Sequence, residues 1–143
     1  MATIEFLLHG IDTLQCAYYL QAKPGMGIDF DHLATEKESL RQSKSREPKA
    51  IKLGSLNFLL FPYGSSSGYP FVISNEYFKI ELGEFNIPSF YVTFPSQALW
   101  RDSAFILHNK FMEWAESICL YSYRPESLSR VDFIHSVINN CAC

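Results

Sequence analysis

The chain has 143 residues, a length that suits a single domain. Its composition is typical of a globular protein, with 48% hydrophobic, 15% aromatic and 19% charged residues. The formal net charge of −3 gives no global attraction for nucleic acid or an anionic membrane. No apolar run approaches the roughly 18 residues that a membrane span needs, and the N-terminus lacks the basic segment of a signal peptide. We therefore expect a soluble, cytoplasmic protein whose four cysteines are reduced thiols.

The first part of the chain predicts two short strands followed by one surface helix. Residues 2–8 and 13–21 have strand character, and the second segment alternates apolar and polar positions. A carboxylate at Asp29 or Asp31 can accept a hydrogen bond from the free amides of a first helical turn. The helix that starts there is expected to end near Ser43.

The middle of the chain predicts antiparallel hairpins. Residues 50–62 have the strongest strand character, and a Gly-Ser pair at 54–55 divides them into a tight hairpin. The GSSSG segment at residues 64–68 is predicted to be a loop, with a phosphate-binding nest of backbone amides as the alternative. Three more strands follow with short turns between them: residues 71–74, 77–82 and 89–94.

From residue 96 onward the hydrophobic period changes from two residues to that of a helix. Ser96 is a suitable N-cap, and a long amphipathic helix is predicted from it to about residue 118. A turn at Arg124-Pro125 then leads to a last strand at residues 129–133. The apolar side of the predicted helix consists of Trp100, Ala104, Leu107, Phe111, Trp114 and Ile118.

Together these elements predict an α+β fold, a mostly antiparallel twisted sheet of about six or seven strands with two helices packed on it. The domain is expected to span residues 1–133. Residues 134–143 are expected to be a disordered or unrelated tail.

Half of the basic residues lie close together in the sequence. Such a cluster predicts a phosphate-facing DNA-binding patch, or alternatively a solvated helix face that continues into a loop. Its members are Lys37, Arg41, Lys44, Arg46, Lys49 and Lys52.

Two charged residues alternate on the last predicted strand. Arg130 and Asp132 are expected to share one face, where a carboxylate can bind Mg²⁺ or Mn²⁺ and an arginine can hold a phosphate. A simple ion pair is the alternative. Tyr121 and Tyr123 could attack a phosphodiester, or could be half-buried sheet residues.

Four segments carry a resemblance to a known family: HGIDTLQCAYYL, LGSLNFLLFPYGSSSGYPFVIS, PSFYVTFPSQALWR and LSRVDF. In this order they resemble the N-terminal half of the phage and plasmid replication initiation factors, the rolling-circle initiators and their relaxase-like relatives. The resemblance extends over nearly all of residues 1–133.

The resemblance implies a role at a replication origin. Members of the family nick one DNA strand with a tyrosine and a divalent metal ion, and Asp132 would be a ligand of that metal, with Arg130 beside it. The family usually has another acidic residue a few positions later, whereas Ile134, His135 and Ser136 follow here. Because the part with the attacking tyrosine lies further downstream in the family, we expect a truncated module that binds origin DNA without nicking it alone.

Two other functions are compatible with the sequence. An unpaired sheet edge could make the chain a non-enzymatic interaction domain or a homodimer. A small self-sufficient nuclease could use Tyr121 or Tyr123 together with Asp132.

Overall fold

The computed structural model of the protein describes residues 11–43 and 47–133, with the side chains of residues 13–43 and 47–128. These residues form three helices and a seven-stranded antiparallel sheet. The helices are α1 (Phe30–Gln42), α2 (Ser96–Arg101) and α3 (Ala104–Ser117). The strands are β1 (Ile11–Ala22), β2 (Lys49–Leu53), β3 (Leu56–Leu60), β4 (Phe71–Ser74), β5 (Lys79–Leu82), β6 (Phe90–Phe94) and β7 (Leu120–Phe133).

The strand order across the sheet is β2-β3-β4-β5-β6-β1-β7. The predicted α+β class is therefore confirmed, and the two predicted hairpins are β2–β3 and β4–β5. The predicted strand at residues 13–21 is β1, and it lies between β6 and β7 near one side of the sheet. The predicted strand at residues 2–8 and the predicted tail at residues 134–143 lie outside the described residues.

Helix α1 begins where the sequence places a cap. The Asp29 carboxylate Oδ1 accepts a hydrogen bond from the His32 amide at 3.0 Å, and Leu33 is the buried residue of the helix. A single buried position agrees with the predicted surface location. None of the three helices in the described ranges is long and apolar enough to cross a membrane.

The predicted long helix from residue 96 to 118 is wrong, because the chain forms two helices instead. Asp102 and Ser103 both have extended backbone between α2 and α3, and the Ser103 hydroxyl accepts a hydrogen bond from the Ile106 amide at 3.2 Å. Serine competes for backbone amides in this way and so favours caps over helix interiors. Trp100, predicted on the buried side, is 69% exposed as a result.

Strand β7 begins at Leu120, nine residues before the predicted start of the last strand. Cys119 links it to α3 with a left-handed backbone (φ 62°). The predicted turn at Arg124-Pro125 is wrong, because both residues lie inside β7. Tyr121 and Tyr123 are also residues of this strand.

One aromatic cluster joins the helices to the sheet. Phe111 and Trp114 of α3 are fully buried, with ring centroids 5.6 Å apart, and Trp114 lies 5.1 Å from Phe58 of β3. The Trp114 Nε1–H also donates a hydrogen bond to the Leu53 carbonyl at 2.8 Å. This residue therefore holds α3 to the β2–β3 hairpin both by packing and by a hydrogen bond.

Replacing Trp114 by phenylalanine tests this anchoring role. Trp114→Phe leaves a cavity and removes the donor to the Leu53 carbonyl, so we expect the free energy of unfolding to fall by about 2 kcal/mol in urea titrations. The matched control is Trp100→Phe, at an exposed tryptophan. This substitution should change the free energy of unfolding by less than about 0.5 kcal/mol. Equal effects of the two substitutions would contradict the anchoring.

Alanine substitutions of the two candidate caps test the break between α2 and α3. Ser103→Ala removes the acceptor for the Ile106 amide and should lower the free energy of unfolding by about 1 kcal/mol. Ser96 makes no such bond, because Pro95 occupies the cap position of α2. Ser96→Ala should therefore have the smaller effect, and the reverse order would support a single helix capped by Ser96.

Candidate nucleic-acid interface

The register of the strands shows which residues share the side of the sheet opposite the helices. Directly paired residues of antiparallel strands lie on the same face. Ala17 of β1 pairs with Tyr91 of β6 and with Ser127 of β7, and Tyr91 pairs with Glu81 of β5. We call this side the open face, because the buried residues of α1, α2 and α3 all belong to the core on the other side.

Three tyrosines line a depression of about 430 Å³ on the open face, which we call the tyrosine cleft. Tyr19 and Tyr91 come from adjacent strands, and Tyr69 comes from the loop between β3 and β4, with its ring 6.3 Å from that of Tyr91. The predicted loop at residues 64–68 thus borders this cleft. The lining is completed by Ala17, Ser67, Pro88 and Ser127.

Hydrogen bonds at the hydroxyl groups fix two of these rings. The Tyr69 hydroxyl donates to the Pro88 carbonyl at 2.8 Å, and burial raises the pKa of Tyr69. The Tyr91 hydroxyl donates to Gln15 Oε1 at 3.0 Å, and Gln15 Nε2 donates to Thr93 Oγ1 at 3.3 Å. The aromatic walls of the cleft are therefore preorganised.

A cation lies beside the cleft. The guanidinium carbon of Arg124 is 4.5 Å from the centre of the Tyr19 ring, a cation–π contact. The Tyr123 ring meets Tyr19 edge-on at 6.2 Å. Nearer the start of β7, the Tyr121 hydroxyl accepts a hydrogen bond from Nε2 of Gln21 on β1 at 2.8 Å. The two tyrosines considered as nucleophiles thus make specific contacts with β1 side chains.

The backbone register places the predicted metal and phosphate residues at the far end of the same strand pair. Arg130 pairs with Gln15, and Asp132 pairs with Thr13. Their side chains lie outside the described part of the structure, so the metal ligand role of Asp132 stays a prediction. Among the described side chains, no group of three His, Cys, Asp or Glu residues could hold a metal ion.

The structure divides the predicted basic cluster between α1 and β2. The Lys37 ammonium donates to the Pro70 carbonyl at 2.6 Å and lies 5.5 Å from the centre of the Phe71 ring, and burial lowers its pKa. Lys49 is ion-paired with Glu36, and their hydrogen bond lowers the pKa of that carboxyl. Two of the lysines therefore already have internal partners.

The remaining members of the basic cluster have different surroundings. Arg41 lies 3.9 Å from a Glu38 carboxylate oxygen, and Lys52 is exposed on β2. Lys44 and Arg46 lie outside the described residues. DNA binding by the basic cluster consequently stays a prediction, with Arg41 and Lys52 as its most accessible described members.

A polar chain on the helix side of the sheet was not predicted from the sequence. The hydroxyl of the fully buried Tyr18 lies 2.8 Å from His108 Nδ1, and His108 Nε2 lies 3.5 Å from Glu126 Oε1. Burial raises the pKa of Tyr18, which therefore stays protonated. The three residues come from β1, α3 and β7, so no local sequence pattern could reveal them.

Comparison of the chain with known proteins finds no matching family model, no matching curated protein and no matching solved structure. Membership of the replication initiator family therefore stays an expectation from the sequence. The open face, with its cleft and neighbouring arginine, is the geometric basis for a functional proposal.

The environment of Cys16 predicts slow thiol chemistry. Burial raises the pKa of Cys16 to about 11, so about one thiol in a thousand is the reactive thiolate at pH 8. Peptide mapping after iodoacetamide treatment should show much slower labelling at Cys16 than at the exposed Cys119. The labelling rate of Cys16 should increase about tenfold per pH unit toward pH 11. Equal labelling rates of Cys16 and Cys119 at pH 8 would contradict the buried environment of Cys16.

Proposed function

We propose that the protein is a DNA-binding module of the rolling-circle replication initiator type, which holds single-stranded DNA on the open face. The observation that carries the proposal is the tyrosine cleft, with Arg124 stacked on Tyr19 at its rim. Unpaired bases stack on aromatic side chains and on arginine planes whatever their sequence. An aromatic cleft beside a cation suits a base with its attached phosphate.

The local charge of the open face is more favourable than the net charge of the chain. The register places Lys79 on this face through its pairing with Thr93, and Lys52 through its pairing with Asn57. These two lysines and Arg124 are three cations, whereas Glu81, which pairs with Tyr91, is one carboxylate. Contacts to phosphate by such residues release counterions, so binding should weaken as salt increases.

The proposal assigns binding rather than nicking to this chain. Asp132 is proposed as a ligand of Mg²⁺ or Mn²⁺ next to the bound strand, with Arg130 as a phosphate contact. The proposed location of the protein is the cytoplasm, where origin DNA of a plasmid or phage is found.

An interaction domain that pairs through a sheet edge is the alternative. Strand β7 is at the edge of the described sheet, but its pairing with β1 is interrupted by register shifts, and it contains Pro125. Bulges and proline on an edge strand oppose the addition of a further strand. These features favour ligand binding on the open face over dimerisation through β7.

Substitution at the cleft tests the proposal. Tyr19→Ala removes a stacking surface worth about 1–3 kcal/mol per base, so the Kd for a fluorescent oligo-dT strand should rise at least fivefold in anisotropy titrations. Arg124→Gln should weaken binding and make the salt slope less steep by about 0.7. The matched control is Trp100→Ala, which removes an exposed aromatic residue on the helix side and should leave the Kd unchanged.

Two results would contradict the proposal. One is equal binding by wild type and Tyr19→Ala. The other is loss of oligo-dT binding in an Arg41→Glu variant, which would move the interface to α1 and the basic cluster. A stable dimer in light scattering without DNA affinity would support the alternative function.

A further inference from the structure

Strand β7 has a bulge between Arg124 and Ser127. These two residues pair with Tyr19 and Ala17, the β1 residues that line the tyrosine cleft. Ala17 pairs with Ser127 and Tyr19 pairs with Arg124, so one residue of β1 faces two residues of β7. The two are Pro125 and Glu126, and proline has no amide hydrogen to donate to the ladder. The backbone of β7 is therefore weakly held by main-chain bonds directly beside Arg124.

The side chain of Glu126 supplies a different attachment at this point. Its Oε1 lies 3.5 Å from His108 Nε2 on α3, on the helix side of the sheet. The other ring nitrogen of His108 lies 2.8 Å from the Tyr18 hydroxyl, and the two rings stack with centroids 5.7 Å apart. Because Tyr18 is fully buried, His108 has a fixed position from which to hold Glu126.

Bulges commonly re-aim side chains next to functional sites. Here Glu126, one of the two bulge residues, contacts the helix layer, whereas Arg124, next to the bulge, contacts Tyr19 on the open face. A shift of the bulge would move Arg124 relative to the Tyr19 ring. Ser122 Oγ donates a hydrogen bond to the Arg124 carbonyl at 3.2 Å on one side of this cation. The contact between Glu126 and His108 constrains the bulge on its other side.

We propose that Glu126 and His108 are positioning residues, which hold the β7 bulge so that Arg124 stays above Tyr19 at the rim of the tyrosine cleft. The proposal rests on the proposed DNA-binding function for its consequence, but its geometry belongs to the free protein. Both side chains are partly exposed, at 43% for Glu126 and 32% for His108. Such a pair contributes little to global stability, so variants should fold and report on position alone.

The test uses NMR of the free protein and DNA titration of the same samples. In wild type, the Nε–H signal of Arg124 should be shifted by the Tyr19 ring. Glu126→Ala should move it toward the value of a free arginine and weaken oligo-dT binding about two- to fivefold, the range of an exposed cation–π contact. Glu126→Gln keeps an oxygen acceptor for His108, so it should restore most of the Arg124 chemical shift and most of the affinity for oligo-dT. The control is Glu113→Ala, which removes an exposed carboxylate elsewhere on α3 and should change neither.

The readouts separate this inference from the proposed function. An unchanged Arg124 signal in Glu126→Ala, or a Glu126→Gln variant no better than Glu126→Ala, overturns the positioning role. A shifted Arg124 signal in Glu126→Ala with no oligo-dT binding by wild type supports the positioning geometry and overturns DNA binding. An unchanged Arg124 signal in Glu126→Ala, with oligo-dT binding intact in both proteins, overturns the inference and leaves the proposed function intact.

Discussion

The packing of Phe111 and Trp114 against the centre of the sheet decides the arrangement of the whole domain. These buried rings contact Phe58, Phe78 and Phe90, so α3 lies across strands that are distant in sequence. The buried residues of α1 and α2 join the same core. The three helices of residues 11–43 and 47–133 thus lie on one side of the sheet, and the tyrosine cleft lies on the opposite side.

Strand β1 shows how alternation gives neighbouring residues opposite roles. Tyr18 faces the helices, is fully buried and contacts His108, whereas Tyr19 faces the tyrosine cleft beneath Arg124. Opposite these residues, β7 contacts both layers, through Glu126 in its bulge and through Arg124 beside the bulge. The open face and the core are therefore linked through neighbouring residues of β7 at this position.

Local chemistry was enough to predict most of the sheet but not the site. Asp29 caps α1 as expected, and the Gly54 turn divides the β2–β3 hairpin. The break at Ser103 was missed because apolar residues continue at helical spacing on both sides of it, from Trp100 onward. The cleft and the polar chain depend on strand register and on the bulge in β7. Contacts between β1 and β7, which lie about a hundred residues apart in the sequence, set both features. Such contacts leave no local sequence pattern.

Mapping of amide chemical shifts during titration with oligo-dT tests the central claim, that the open face binds single-stranded DNA. We expect the largest shifts around Tyr19, Tyr91 and Ser127 and smaller ones near Lys79, while the amides of α2 and α3 change little. Shifts concentrated on α1, or the absence of any shift at millimolar oligonucleotide, would show that the open face does not bind the strand.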